Sequence, residues 1–256
     1  VIYPIVMGWQ WGGGWLAELG FSDFAGSTLV HSTGGAAALA GIILLGARNG
    51  RFDSAGNPKA LKPFAASSIP LVTIGVFILW LGWFGFNGGS QLALGTFDDA
   101  VAISTIFINT NLAACGGVLA AATITRLMYG KTDVIQMLNG AIGGLVAITA
   151  EPLAPSPFAA ILIGAIGGLI VVFGTKLLFS FKLDDVVGAI PAHLFAGIWG
   201  TLAVPLTNTD ATFSAQLIGV LAVNIFVFAV SYLSLIHISE PTRRRGISVG
   251  GVGVEK

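Results

Sequence analysis

The chain has 256 residues, of which 55% are hydrophobic and 9% are charged, and its formal net charge is zero. Soluble domains carry about 25% charged residues, so this composition excludes an ordinary soluble domain and predicts an all-α, polytopic helical membrane protein embedded in a lipid bilayer. The zero net charge argues against nucleic acid as a partner, and the single cysteine, Cys115, excludes an internal disulfide framework.

Seven apolar segments follow one another along the chain, each long enough to span a bilayer, which needs about 20 residues. They cover residues 26–47, 69–94, 100–129, 134–150, 158–181, 187–206 and 213–233. The chain starts at Val1 inside an apolar stretch and without a methionine. We therefore expect further residues to precede it.

Positive charges in the connections between these segments predict an orientation. The basic residues before the last segment are Arg48, Arg51, Lys59, Lys62, Arg126, Lys131, Lys176 and Lys182. All of them fall in alternate connections, whereas the intervening ones, around 98–99, 151–157 and 208–210, contain no Lys or Arg. By the positive-inside rule the basic side is cytoplasmic.

The C-terminal stretch differs in character from the rest of the chain. Residues 234–243 read SLIHISEPTR, which resembles the translation of a transposase adapter used in sequencing libraries. This predicts a native transmembrane domain over 1–233 and a non-native tail over 234–256. The alternative is a basic juxtamembrane tail that contacts anionic lipid.

A motif of four residue types occurs twice with the same spacing. The first copy is Asp23, Gly26, His31 and Gly35, and the second is Asp185, Gly188, His193 and Gly197. The loop charges predict that the two segments enter the membrane from opposite sides, which is the relation within an inverted repeat, with a substrate site at the repeat interface. Each Asp is also placed to cap the start of its helix.

The repeat places two histidines inside apolar segments. His31 and His193 each lie about 12 Å along the helix from their Asp, near the middle of the membrane. Each could be a hydrogen-bonded structural residue. A neutral pair could instead share one proton, one ring donating and the other accepting, and so relay a proton. Neither helix offers a Cys, Glu or further His, so we expect no metal site and no cofactor.

Two aromatic stretches lie near the predicted outer surface. Trp11 precedes three glycines, and residues 82–90 read GWFGFNGGS. They could form an aromatic belt at the membrane interface. They could also form a cage whose π faces attract a small cation, with Ser90 accepting a hydrogen bond from it.

These motifs together resemble the ammonium transporter family (Amt/Mep/Rh), and its Amt branch in particular. The resemblance rests on residues 23–31 (DFAGSTLVH), 45–48 (LGAR), 82–90, 139–150 and 184–200. The chain departs from the family pattern at Leu194, Val186 and the pair Ser67 and Ser68, none of which is a candidate site residue.

The resemblance implies roles for individual residues. Trp11 and Ser90 match an external recruitment site for ammonium, and Phe86 matches one of two stacked gate phenylalanines. His31 and His193 match the twin histidines of the pore. Asp23 matches an acidic residue that shapes the entrance.

The resemblance also implies an architecture and partners. The family has eleven helices with an inverted repeat, and this chain would supply the fifth to the eleventh, so that it would not form a working pore alone. The implied partners are ammonium or ammonia, two further copies in a homotrimer, and a PII-type regulatory protein.

The expected function is transport of ammonium or ammonia across the cell membrane by a protein that is not an enzyme. Two alternatives share the fold: an ammonium sensor and an Rh-like gas channel. A third, an intramembrane metal-dependent hydrolase, would need further ligands and a catalytic water.

Overall fold

The computed structural model describes the backbone of residues 1–53 and 65–249, and the side chains of those ranges up to residue 238. Every regular element in these ranges is a helix, which confirms the all-α prediction. The elements are α1 (Ile2–Gln10), α2 (Trp15–Glu18), a first π turn (Ser27–Ser32), α3 (Thr33–Leu45), α4 (Ile69–Gly89), α5 (Phe97–Tyr129), α6 (Val134–Ile148), α7 (Pro157–Ser180), a second π turn (Ile190–Phe195), α8 (Ala196–Ala203), a 3₁₀ turn (Val204–Leu206) and α9 (Phe213–Val249).

The predicted apolar segments all correspond to helical runs. Within the described ranges, five helices are long and apolar enough to cross a membrane: Ser27–Leu45, Ile69–Gly89, Phe97–Tyr129, Pro157–Ser180 and Phe213–Ile238. The other two predicted segments correspond to shorter apolar helices, Val134–Ile148 and Ile190–Leu206. The fold is therefore that of a multi-pass membrane protein.

The start of α5 differs from the prediction. Asp98 and Asp99 were expected in a connection, but they lie in the first turn of the helix. Thr96 Oγ1 accepts the Asp99 N–H at 3.1 Å and the Asp99 carboxylate accepts the Thr96 N–H at 3.1 Å. The helix therefore begins at Phe97, three residues before the predicted apolar segment. The capping box stabilises this start, because carboxylates near a helix N-terminus complement its dipole.

Helices α5, α6 and α7 form the most closely packed part of the molecule. Gly117 of α5 lies so close to Gly140 of α6 that a Cβ on Gly117 would clash with the Gly140 carbonyl oxygen. Gly168 of α7 approaches the Gly117 carbonyl in the same way. Helices in lipid gain stability from such close backbone approach, because lipid gives them little hydrophobic drive to associate.

Helix α4 packs at the edge of this group and has few buried residues, namely Val76, Trp83, Asn87 and Gly88. Most of its remaining large side chains are exposed and apolar, including Leu71, Phe77 and Leu81. Three of the four buried residues lie in its C-terminal half, so α4 contacts the rest of the chain mainly there.

Two sequence predictions fall partly outside the described residues. Lys59 and Lys62, two of the basic residues in the orientation argument, lie outside them. In the segment 234–256, α9 continues to Val249, and residues 250–256 lie outside the described part. A helical backbone does not distinguish native from non-native residues, so the non-native tail stays a prediction.

Candidate functional site

Both copies of the sequence motif fold into a π turn followed by an α-helix. His31 lies in the first π turn and His193 in the second. The His31 N–H donates to the Gly26 carbonyl, five residues back, at 2.9 Å. A π turn adds one residue to a helical turn and so changes where the side chains project, which is why such turns are common at functional sites.

An aspartate organises the start of each π turn. The buried Asp23 carboxylate accepts four backbone N–H groups, from Gly26, Ser27, Thr28 and Leu29, at 2.8–3.0 Å. The Asp185 carboxylate accepts four as well, from Val187, Gly188, Ala189 and Ile190, at 2.7–3.3 Å. These donors would otherwise lack partners at a helix start.

The first glycine of each motif copy allows the backbone to turn from the aspartate into the π turn. Gly26 has φ 117° and Gly188 has φ 77°. Residues with a Cβ rarely adopt either value. A glycine at this position is therefore required for the chain to turn from the aspartate into the π turn.

The two motif copies also contact each other reciprocally. A Cβ on Gly35 would clash with the Leu194 backbone, and a Cβ on Gly197 would lie 3.3 Å from Ser32 N and Cβ. Gly35 and Gly197 are equivalent repeat positions, as are Ser32 and Leu194. Reciprocal contact of this kind is what a two-fold relation between the copies produces.

This contact brings the two imidazoles together. His31 Nδ1 and His193 Nδ1 are 3.2 Å apart, and the ring centroids are 5.3 Å apart with an angle of 25° between the planes. One Nδ1 must donate and the other accept, so the neutral pair shares a single proton between its facing nitrogens. His31 Nε2 is buried and has no hydrogen-bond partner among the described residues.

Two aromatic rings of α4 pack against His31. Trp83 stacks on it with centroids 4.9 Å apart and an interplanar angle of 15°. Phe86 lies 5.5 Å from the His31 ring and 6.0 Å from Trp83. The histidine pair therefore adjoins an aromatic group in which Phe86 is the more exposed ring and Trp83 the buried one.

Trp83 belongs to the aromatic stretch 82–90, but the sequence prediction gave it no role of its own. Its Nε1 donates to Thr149 Oγ1 at 2.8 Å. Thr149 Oγ1 in turn lies 3.3 Å from Asn87 Oδ1, and Asn87 Nδ2 donates to Thr110 Oγ1 at 3.0 Å. A usable signal was present, since Trp83 precedes Phe86 by three residues and residues three apart share one face of a helix.

The structure does not join the two predicted recruitment residues. Trp11 Nε1 donates to the Asp23 carbonyl at 2.8 Å, and Ser90 Oγ donates to the Phe86 carbonyl at 2.8 Å. No hydrogen bond or ring contact connects Trp11 with Ser90 in the described part of the chain. Of the predicted site residues, the structure thus groups His31, His193 and Phe86, and attaches Trp11 to Asp23.

The described side chains offer no ligand cluster around the histidines. Within residues 1–53 and 65–238 there is no group of three or more His, Cys, Asp or Glu side chains that could hold a metal ion. Two nitrogens that face each other at 3.2 Å also leave no room for an ion between them, because zinc–nitrogen bonds are about 2.0–2.1 Å long.

An ionic cluster joins the far end of α3 to the segment before the second π turn. Arg48 donates from Nε and Nη2 to the two oxygens of Asp184, at 2.6 and 2.9 Å. Arg51 Nε adds a contact to Asp184 at 3.3 Å, and its guanidinium lies over the Phe179 ring. Hydrogen bonding to Arg48 holds the pKa of Asp184 below its ordinary value.

The sequence profile of the Ammonium Transporter Family matches residues 1–240. Ammonium transporter Amt2 of Archaeoglobus fulgidus is 44% identical over 251 residues, covering 92% of this chain and 52% of that protein. Ammonium transporter 1 member 1 of Arabidopsis thaliana is 34% identical over 270 residues, an alignment that covers 98% of this chain and 49% of that protein. The chain thus spans about half the length of the curated relatives it matches.

Solved structures give the same result. A protein named Sensor Amt Protein superposes with a TM-score of 0.86 at 32% identity, covering 99% of this chain and 67% of its own. Mep2 of Candida albicans superposes with a TM-score of 0.84 at 29% identity, covering 95% of this chain and 56% of its own. The chain is a multi-pass helical membrane protein that belongs to the ammonium transporter family, a family of transporters rather than enzymes.

Proposed function

We propose that the full-length protein carries ammonium or ammonia across a cell membrane, and that His31 and His193 form the central part of its path. The observation that supports this most directly is the histidine pair, with facing nitrogens 3.2 Å apart, next to Trp83 and Phe86 in a lipid-spanning bundle. Ionisable residues at this depth are costly and usually mark a transport path.

The proposed path begins at the outer surface. Trp11 and Ser90 recruit the ammonium ion, the former through its π face and the latter through its hydroxyl oxygen. The ion then loses its proton or its hydration shell at the ring of Phe86, because a bare charge at the membrane centre costs several kcal/mol, about 3 on insertion scales.

Ammonia then passes the histidine pair. The pair is neutral and holds one proton between its facing Nδ1 atoms, so it offers a donor and an acceptor without placing a charge in the bilayer. The same arrangement could pass a proton from one ring to the other, which would make transport electrogenic. Asp23 supports the path by fixing the π turn that carries His31.

The experiment is ammonium-evoked current in proteoliposomes that contain the full-length protein. We expect a saturating current that methylammonium also evokes, and we expect the double replacement His31→Leu and His193→Leu to reduce it at least tenfold. Ser104→Ala, which removes an exposed hydroxyl group of α5 that donates to the Ala100 carbonyl of its own helix, is the control. Unchanged current and selectivity in the double variant would show that the pair carries no charge.

The second candidate function is ammonium sensing. It is favoured by one observation, the similarity to the Sensor Amt Protein. A sensor would bind ammonium, measured by calorimetry, without evoking current. Binding without current in the wild-type protein would therefore replace the transport proposal with this one, or with a neutral-gas channel.

The proposed assembly follows the family resemblance. We propose a homotrimer in the plasma or inner membrane, with the basic connections on the cytoplasmic side and a PII-type protein as the regulatory partner there. Native mass spectrometry of the full-length protein tests the trimer, and pull-down with a PII protein tests the contact.

We also propose that residues 234–256 are adapter read-through or another non-native tail rather than part of the native protein. The ten-residue resemblance at 234–243 supports this. Amplification of the locus across the codon for Leu233 tests it, and the true reading frame would also reveal whether a signalling domain follows. Recovery of the same codons from genomic DNA would overturn the proposal.

A further inference from the structure

The membrane-spanning part of α9, Phe213–Ile238, contains two amide side chains, of which Asn224 lies deeper in the span. Asn224 Oδ1 accepts a hydrogen bond from Ser32 Oγ at 2.6 Å, and its Nδ2 donates to the Val220 carbonyl at 2.8 Å. Its neighbours Val223 and Val227 are fully buried. A polar side chain at such a position is costly in a membrane unless it is satisfied, and it usually serves a function.

Ser32 connects this amide to the histidine pair. It follows His31 directly, it ends the first π turn, and it is fully buried. On its other side it lies against Gly197 of the second motif copy. Ser32 is thus held between α9 and the second repeat, and any shift of Ser32 must move the backbone of His31.

A second amide of α9 fixes the other end of the same segment. Gln216 lies eight residues before Asn224, and so on nearly the same face of the helix. Its Nε2 donates to the Ser22 and Thr201 carbonyls at 2.6 and 3.0 Å, and its Oε1 accepts the Ser22 N–H at 2.8 Å. α9 therefore holds the segment that carries His31 at Ser22, before Asp23, and at Ser32, after His31.

We propose that Asn224 is a positioning residue for the histidine pair. By accepting the Ser32 hydroxyl hydrogen bond it fixes the end of the first π turn, and through it the orientation of the His31 ring toward His193 Nδ1. The inference rests on the proposed function, since it assigns Asn224 a part in transport through the geometry of that pair. Asn224 itself contacts neither substrate nor histidine.

The test separates ring geometry from transport. The full-length protein is labelled with ¹⁵N-histidine, and the ring nitrogen resonances of His31 and His193 are recorded for the wild type, Asn224→Ala, Ser32→Ala and the double variant. These resonances report the Nδ1–Nδ1 hydrogen bond whether or not the protein transports ammonium. Ser231→Ala, which alters a buried serine about two turns further along α9, is the matched control.

We expect both single variants to shift the Nδ1 resonances in the same direction and to lower the ammonium-evoked current by about fivefold, the value that corresponds to one lost hydrogen bond. The double variant should behave like either single variant, because both remove the same bond. Ser231→Ala should leave both readouts unchanged.

Three results would overturn the proposal. The first is unchanged Nδ1 resonances in Asn224→Ala and Ser32→Ala. The second is additive effects in the double variant, which would mean that the two residues act independently. The third is a fall in the current of the single variants that is explained entirely by a smaller amount of folded protein. If the wild type carries no current but Asn224→Ala and Ser32→Ala shift the Nδ1 resonances as expected, the transport proposal is refuted and the positioning role of Asn224 is retained.

Discussion

At the scale of single residues, the orientation of Trp83 depends on a hydroxyl group from another helix. Thr149 Oγ1 accepts the indole N–H at 2.8 Å and donates to the Leu145 carbonyl at 2.7 Å. With the indole held in this way, its flat face stacks on His31. Thr149 therefore acts on the site through Trp83, without contact to the histidines.

The replacement Thr149→Val keeps the shape of the side chain and removes this acceptor. We expect the free energy of unfolding to fall by about 1–3 kcal/mol, because the buried indole N–H loses its partner. The measurement is denaturant unfolding in detergent, followed by the current assay. The current should also fall, since an indole that turns away no longer packs on His31.

A second threonine provides the matched control for this change. Thr73 of α4 donates its hydroxyl only to the Ile69 carbonyl of its own helix. Thr73→Val should change the free energy of unfolding by roughly 0.5 kcal/mol or less, as expected for a side chain on the outer surface of the bundle. Equal effects of Thr149→Val and Thr73→Val would contradict the assigned role of Thr149.

The sequence allowed part of this residue-scale picture to be predicted. His31 and His193 could be paired because each stands eight residues after an aspartate and four before a glycine, and the repeat itself implies a contact. Asn224 and Thr149 could not be found in this way. Each acts through a hydrogen bond to a residue of a distant element, and no local pattern indicates which polar residue of an apolar helix makes one.

At the scale of elements, the two repeat copies are anchored by different chemistry. Ser22 and Asp184 are equivalent positions, one residue before each capping aspartate. Ser22 is bound by the neutral amide of Gln216, whereas Asp184 is bound by Arg48 and Arg51. The repeat therefore has a charged anchor at only one of these two positions.

The charged anchor predicts a dependence of stability on pH. Hydrogen bonding to Arg48 lowers the folded-state pKa of Asp184 below its ordinary value of 3.8. The stabilisation is therefore fully present above 3.8 and is lost as the pH falls through the lower folded-state pKa. Asp184→Asn should lower the free energy of unfolding at pH 7 by about 3 kcal/mol, as for one partner of a buried ion pair.

The same variant should also lose part of the acid sensitivity. Thermal unfolding in detergent between pH 7 and pH 3 measures both effects, with the exposed Asp210→Asn as the control. The Asp184→Asn protein should unfold at a temperature that varies less with pH below 3.8 than that of the wild type. An equal dependence in the two proteins would mean that Asp184 does not link its titration to folding.

The long apolar elements were predictable because lipid requires helices of a minimum length. The π turns were not predictable, because they arise from the aspartate caps and from glycines at positive φ. The length of an apolar segment does not indicate either feature. Helix α1 was also not predicted, because a nine-residue helix is too short for the length criterion of a span. Short elements of this kind depend on tertiary contacts, such as that of Val6 in the buried cluster with Leu16 and Leu29.

At the scale of the whole molecule, the exposed apolar surface and the charged connections together define how the chain lies in a membrane. Exposed Leu71, Phe77 and Leu81 of α4 need lipid or protein around them. The basic residues that bound the spans then decide which end faces the cytoplasm. Family membership establishes the fold, whereas the direction in which the bundle is inserted stays a prediction of the charge pattern.

The orientation can be tested with two exposed positions in opposite connections. Lys131 lies between α5 and α6, and Asp210 lies before α9. In a cysteine-free background, in which Cys115→Ala removes the one cysteine of this chain, Lys131→Cys should react with a membrane-impermeant maleimide only in inside-out vesicles. Asp210→Cys should react in intact cells, because its connection contains no basic residue and is expected outside.

The two variants control for each other, since both place the same thiol in an exposed connection. The reverse pattern would mean that the bundle is inserted in the opposite direction, and Trp11 and Ser90 would then face the cytoplasm. Recruitment from outside would fail in that case, while the histidine pair would still lie midway along the path. Three predicted spans, α6, α7 and the Ile190–Leu206 helix, separate the two positions and should place them on opposite sides. Labelling of both positions from the same side would mean that α6 or the Ile190–Leu206 helix does not cross the membrane.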